Sequence, residues 1–249
     1  MKELKACLAE MIGTFALVFI SIGAIHSANH QQMDLVGIAL AYGLAVGAMV
    51  SATAAFSGGH LNPAVSFGAY IGGKLEMKQM VRYIGSQLVG AAAAGFVCVL
   101  ILEQGAVSIA TPDLGKDVTT GAAILVETTL TFLLMFAMFG TVMDARAPKI
   151  GGLAVGMVAA MGVLFGGPLT GAAMNPARVF GPALAGHHWT NHAIYWIGPM
   201  LGAALAGGLY GWFLIRKDEP PTQAPKRSDV ETPPARVPNP KNRYSDGRG

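Results

Sequence analysis

The tripeptide Asn-Pro-Ala occurs once in each half of this chain, as Asn62-Pro63-Ala64 and as Asn175-Pro176-Ala177. Asparagine is a good helix N-cap. Proline is favoured at the first helical position, where its missing N–H would be unpaired in any case. Each triplet therefore reads as a helix start. The stretches that follow, 62–71 and 175–185, are strongly apolar but too short to cross a bilayer, which takes about 20 residues. They read as half-helices. A helix that begins at membrane depth aims free N–H groups and the positive end of its dipole at whatever lies ahead. Two such starts meeting at the midplane make a small polar site inside hydrocarbon, the arrangement of a pore or a transporter.

The triplets belong to a longer internal repeat. Gly58, Phe67 and Gly68 recur as Gly171, Phe180 and Gly181; Glu10, Thr14, Phe15, Leu17 and Phe19 recur as Glu127, Thr131, Phe132, Leu134 and Phe136. Tyr83, Gly90, Ala91, Ala92, Ala94 and Gly95 recur in the same order as Tyr195, Gly202, Ala203, Ala204, Ala206 and Gly207. Of the 249 residues, 53% are hydrophobic and 12% charged, which is a membrane composition. Six spans are expected, near 4–26, 35–56, 79–101, 121–142, 150–167 and 192–215. The 33 glycines suit close helix crossings, as at Gly90 to Gly95 and Gly202 to Gly208. The fold class is thus all-α and membrane-embedded, with six transmembrane helices and two re-entrant half-helices. A channel domain is expected over 1–215, with repeats at about 4–101 and 121–215. The Pro-rich, charged stretch 216–249 reads as a disordered cytoplasmic tail.

Lys2, Lys5, Lys74, Lys78, Arg82, Arg146, Lys149, Arg216 and Lys217 fall on one set of loops, whereas 27–34 and 185–192 carry no Lys or Arg and 102–120 carries only Lys116. The positive-inside rule then puts both termini in the cytoplasm of a multi-pass cell-membrane protein, and the first span reads as an uncleaved helix. Cys7 and Cys98 lie within predicted spans and read as packing residues. His187, His188 and His192 cluster after the second half-helix, but no acidic or Cys neighbour in sequence makes a metal site of them. No cofactor, metal or nucleic-acid partner is expected.

Ser57-Gly58-Gly59-His60-Leu61-Asn62-Pro63-Ala64-Val65 and Met174-Asn175-Pro176-Ala177-Arg178-Val179-Phe180-Gly181-Pro182-Ala183-Leu184 resemble the two signature loops of the aquaporin (major intrinsic protein) family. The second loop is most similar to those of vacuolar-type plant members and some prokaryotic ones. The resemblance covers about 4–215. It implies a passive water channel that excludes protons and ions, assembled as a homotetramer with one pore per subunit. It also implies a selectivity constriction at Tyr42, Val163, Ala172 and Arg178. Strict water channels tend to carry His where this chain has Val163, which leaves room for small neutral solutes such as ammonia, hydrogen peroxide or glycerol. Val179 after the arginine, Ala183 and the Tyr195-Trp196 pair follow the water-type pattern.

The residues carry a mechanism beside the resemblance. The amides of Asn62 and Asn175 can each donate to one central water, which then points its own hydrogens outward and interrupts a proton wire. The backbone of Gly58, Gly59, His60 and Leu61, and of Gly171, Ala172, Ala173 and Met174, is expected to line the path. His60 is expected to line its cytoplasmic half, with a pH gate as the alternative. Arg178 sits at the unfavourable end of a helix dipole and near membrane depth, and that double cost points to function. Glu10 and Glu127, at repeat-equivalent positions, are expected to brace the loops by accepting backbone hydrogen bonds, with a proton relay as the alternative. A secondary transporter, a membrane enzyme and a closed adhesive protein are the competing classes. No HExxH, Gly-x-Ser-x-Gly or phosphate-loop motif supports an enzyme.

Overall fold

The computed structural model describes residues 1–146, 148 and 150–214. The expected tail at 216–249, and with it Arg216 and Lys217, lies outside the described residues, as does Lys149. The helices run in the order α1 (Lys2–Asn29), α2 (Leu35–Ser57), α3 (Pro63–Ile71), α4 (Met77–Leu102), α5 (Gln104–Ile109), α6 (Thr120–Met138), α7 (Leu153–Thr170), α8 (Pro176–Gly186) and α9 (Ile194–Leu209). Wider π turns extend α6 through Phe139–Met143 and α9 through Tyr210–Leu214. Six of these are long and apolar enough to cross a bilayer: Lys2–Asn29, Leu35–Ser57, Met77–Leu102, Thr120–Met143, Leu153–Thr170 and Ile194–Leu214. The half-helices are α3 and α8. The short α5 was not expected from the sequence; its six residues give too little periodicity to register.

Local chemistry sets the boundaries. Asp34 accepts from the Gly37 N–H at 2.8 Å and starts α2. Gly58 (φ 90°) and Gly171 (φ 72°) end α2 and α7 in the left-handed region, which a side chain resists, and so turn the chain back toward the half-helices. Asn62 and Asn175 cap α3 and α8, with Pro63 and Pro176 at the first position, as their sequences predict.

The packing repeats with the sequence. The pairing of α1 with α4 is matched by α6 with α9, and α2 and α7 join the two repeats. Each half-helix leans on the third long helix of the other repeat: α8 packs on α4, and α3 packs on α9. Glycines make these crossings possible. A Cβ on Gly90 would strike the Met11 carbonyl oxygen, and one on Gly202 would strike that of Thr128. Gly181 lies equally close to the Ala91 carbonyl, and Gly207 to that of Gly68. Large apolar side chains such as Leu44, Leu100, Leu125, Phe165 and Leu205 face outward. The polar residues Glu10, His60, Asn62, Gln87, Glu127, Asn175 and Arg178 are buried. A chain that is apolar outside and polar inside suits lipid as its solvent.

Gly202→Ala should therefore lower the thermal stability of the purified protein, overpacking costing about 1–3 kcal/mol. Gly85→Ala, where a Cβ meets open space, should instead gain the helix preference of alanine. Melting curves in one detergent compare the two.

Candidate functional site

Two carboxylates, each fully buried, shape the loops that lead into the half-helices. Glu10 on α1 accepts the His60 N–H at 2.9 Å and the Ser57 hydroxyl at 2.6 Å on Oε1, and the Leu61 N–H at 2.6 Å and Gln87 Nε2 at 2.7 Å on Oε2. Glu127 on α6 repeats the pattern. Its Oε1 accepts the Ala173 N–H at 2.9 Å and the Thr170 hydroxyl at 2.7 Å, and its Oε2 accepts the Met174 N–H at 2.8 Å. All of the carboxylate oxygens are thus occupied by donors, and the loop N–H groups that face away from the helix starts are satisfied. The loops need such fixing. Leu61 (φ 53°), Ala172 (φ 45°) and Met174 (φ 52°) all sit in the left-handed region that side chains disfavour.

A tyrosine completes each brace. The Tyr83 hydroxyl donates to the Ser57 carbonyl at 2.9 Å, and the Tyr195 hydroxyl donates to the Thr170 carbonyl at 2.9 Å. The bonded ends of α2 and α7 are thereby tied to the third long helix of their own repeat. The recurrence of Tyr83 as Tyr195 was visible in the sequence; the role was not, because tyrosine in a span also reads as an interface or packing residue.

The two asparagines meet at the centre. Each side-chain oxygen accepts its own cap bond, Asn62 from the Ala64 N–H at 2.8 Å and Asn175 from the Ala177 N–H at 3.0 Å. Each amide nitrogen also reaches across the repeat. Asn62 Nδ2 donates to the Met174 carbonyl at 2.8 Å, and Asn175 Nδ2 donates to the Leu61 carbonyl at 3.0 Å. An amide carries two N–H donors, so one on each asparagine remains for a molecule beside it. Sequence reasoning gave the carbonyls of Leu61 and Met174 to solute alone; each also holds the opposite asparagine.

Beside the asparagines lies a narrow cavity of about 20 Å³, lined by Leu17, Tyr42, His60, Asn62, Val155 and Asn175 among others. That is about the space one water needs. His60 Nδ1 lies 3.2 Å from the Ser66 hydroxyl, which in turn accepts from Gln87 Nε2 at 2.9 Å. Gly58 and Gly59 form the turn before it. A Cβ on Gly59 would press on the Val50 carbonyl. Ala173, which stands where His60 would repeat, packs instead with Val179 and Tyr195.

Beyond Asn175 the polarity of the two ends differs. A wider cavity of about 320 Å³ is lined by Asp113, Val163, Gly171, Arg178 and residues of the 109–115 segment. The Arg178 guanidinium carbon sits 5.0 Å from the centroid of the Tyr42 ring, a cation–π distance. Its Nε–H donates to the Ser21 hydroxyl at 3.0 Å, while its buried Nη1 has no hydrogen-bond partner among the described residues. Val163 and Ala172 are buried nearby in the fold's main apolar cluster, which Tyr42 joins. In the register that pairs Asn62 with Asn175, the counterparts of Tyr42, Val163, Ala172 and Arg178 are Val155, Val50, Gly59 and Val65. Val50, Val65 and Val155 all line the narrow cavity. The positions that hold an aromatic and a cation in Tyr42 and Arg178 thus hold valines in the other repeat.

The histidines after α8 differ from expectation. His188 Nε2 lies 3.1 Å from the Asp113 carboxylate, an acidic partner 75 residues away in sequence, and Asn191 donates to the same carboxylate at 2.8 Å. Burial works to raise the Asp113 carboxyl, but hydrogen bonds from Asn191, the Leu114 N–H and His188 hold it below the usual carboxylate range. No group of three or more metal-ligating side chains occurs among the described residues. Cys7 and Cys98 are free thiols.

Glu127→Gln places an amide where loop N–H groups need an acceptor. The opposed donors should cost about 1–3 kcal/mol, seen as a lower melting temperature. Flux per folded protein should fall as well, because the Met174 carbonyl that holds Asn62 shifts with its loop.

The chain is similar to known proteins along most of its length. The family model described as major intrinsic protein matches residues 1–210. "Probable aquaporin TIP3-2" of Oryza sativa subsp. japonica is 38% identical over 234 residues, covering 91% of this chain and 88% of that protein. "Aquaporin TIP4-1" of Zea mays is 39% identical over 229 residues, covering 87% of this chain and 89% of that protein. Among solved structures, the aquaglyceroporin from Plasmodium falciparum superposes with a TM-score of 0.73 at 23% identity, covering 85% of this chain and 97% of that one, which speaks to the fold alone.

Proposed function

The chain belongs to the major intrinsic protein family, and we propose on that premise that it is a passive transmembrane channel for water and small neutral solutes that excludes protons and ions. The observation that carries this reading is the meeting of Asn62 and Asn175 at a cavity of about 20 Å³. Each asparagine has one amide N–H used by the opposite loop and one left over. A water accepting those two remaining donors has both lone pairs engaged and must donate outward, toward the two mouths. Its neighbours on either side then run in opposite donor directions, and no continuous wire carries a proton through. The starts of α3 and α8 point their positive ends at the same place and oppose cations.

The other candidate residues fall into roles along this path. The carbonyls of the loops Gly58 to Leu61 and Gly171 to Met174 supply acceptors. The Ser66 hydroxyl, already accepting from Gln87, has its own hydrogen for His60 Nδ1, which leaves the other ring nitrogen as a donor to solute. Tyr42, Val163, Ala172 and Arg178 form the constriction. There Arg178 donates to passing solute and repels cations, and Val163 makes the ring less polar than an imidazole would. Glu10 and Glu127 brace rather than relay protons, since every oxygen already accepts from a fixed donor. That also counts against a coupled transporter, which needs an ionisable group that solute can reach.

The protein is a multi-pass membrane channel, and the family is not one of enzymes. We place it in the cell membrane with both termini cytoplasmic. Lys2, Lys5, Lys78 and Arg82 gather at one end, where an Arg82–Glu3 ion pair of 2.6 Å ties the start of α4 to that of α1. Residues 1–215 form the channel domain. The unit of assembly is a homotetramer, for which the outward apolar side chains provide contact surface. Water is the primary solute, as the aquaporin relatives suggest; ammonia, hydrogen peroxide and glycerol are the alternatives that Val163 leaves open.

Proteoliposomes under an impermeant osmolyte should shrink fast with a low activation energy, and protons should not follow. Shrinkage no faster than that of empty liposomes would sink the reading. Ala172→Cys should create block by mercurials; a conducting but insensitive variant would displace Ala172 from the constriction. Val163→His should narrow the range of neutral solutes, measured as glycerol and ammonia entry relative to water.

A further inference from the structure

Arg178 is the only cation set against the Tyr42 face among the described residues, and something must hold it there. A guanidinium on three methylenes carries about 2 kcal/mol of rotamer entropy. The first turn of α8 offers it no acceptor, because a helix start presents N–H groups. The protein acceptor it does find is the hydroxyl of Ser21, 157 residues away on α1, at 3.0 Å from Nε. Ser21 is 4% exposed and Arg178 is 3% exposed, so water does not compete freely for the bond.

The repeat gives an independent sign that the two residues work together. In the register that pairs Glu10 with Glu127, Ser21 falls on Met138; in the register that pairs Asn62 with Asn175, Arg178 falls on Val65. Both counterparts line the narrow cavity. Where the arginine is absent the hydroxyl is absent as well, and an apolar side chain stands in each place. The polar pair occurs whole at one end and not at all at the other.

We propose that Ser21 is a positioning residue of the solute filter: by fixing Nε it sets the guanidinium over Tyr42 and leaves the buried Nη1 without a partner among the described residues. The bond fixes one edge of the planar fork, so the remaining donors face a defined direction. With that edge free the side chain samples other rotamers, and the space beside Tyr42 and Val163 opens to larger neutral solutes. This rests on the assignment of Tyr42, Val163, Ala172 and Arg178 as the constriction.

The test is the ratio of glycerol to water permeability in proteoliposomes of the full chain. Ser21→Ala and Ser21→Cys should each raise it by about tenfold or more, the loss of one charge-assisted hydrogen bond, while water flow shows that the protein is folded. Ser21→Cys keeps the volume and replaces the hydroxyl by a weak acceptor, so it serves alone if the alanine variant does not fold. Ser21→Thr keeps the hydroxyl and should keep the native ratio. In an Arg178→Val background, Ser21→Ala should change nothing further. If Arg178→Val alters the ratio and neither Ser21→Ala nor Ser21→Cys does, Ser21 does not position the arginine. A threonine variant that behaves like the alanine one overturns the proposal too. If Arg178→Val itself leaves the ratio unchanged, the constriction assignment fails and the proposal falls with it.

Discussion

A carboxylate taken out of water costs several kcal/mol unless donors surround it, and two among the described residues, Glu10 and Glu127, are fully buried. Each is matched by backbone N–H groups that the loops could not otherwise satisfy at membrane depth. The exchange works only in one geometry, with Leu61, Ala172 and Met174 held in left-handed conformations. Those turns in turn direct carbonyls inward and set the positions of Asn62 and Asn175. The helix starts, the central cavity and the amide donors beside it all follow from the two carboxylates and the residues that help them. Ser57 and Thr170 add hydroxyls, and Tyr83 and Tyr195 tie down the carbonyls of those same two residues.

The half-helices need the rest of the chain as much as it needs them. The α3 and α8 helices are 9 and 11 residues long, too short to be stable alone. Each is clasped by the third long helix of the opposite repeat, through glycines that let backbones touch. Close contact of this kind substitutes for the hydrophobic effect, which does not drive helices together in lipid.

Much of this could be read from the amino-acid order. The doubled Asn-Pro-Ala, the recurring Glu and the recurring glycines are local or periodic signals, and they led to the half-helices, the caps and the braces. Side chains that meet only through the fold left no such mark. Ser21 is one hydroxyl in an apolar helix, 157 residues from Arg178. Asp113 and His188 lie 75 residues apart. Gln87 and Ser66 interact on one side only, since their counterparts in the second repeat, Pro199 and Val179, cannot make the same bonds. The reach of Asn62 to the Met174 carbonyl was hidden for a different reason: capping by its oxygen and donation of its amide to a central water already accounted for the side chain, and the second N–H had no separate signal.

That reciprocal reach has a bearing on how the protein is made. The partner of the Asn62 amide lies 112 residues downstream. Chains lengthen at roughly 5–20 residues per second, so the Asn62-Pro63-Ala64 segment waits on the order of 10 s before the loop that completes its central contact has been synthesised. Through that interval the Asn62 amide lacks its partner in the second repeat, and membrane depth penalises an unmatched donor. The nascent half must therefore stay near water or against the insertion machinery, and enclosure of the central site is among the last events of biosynthesis.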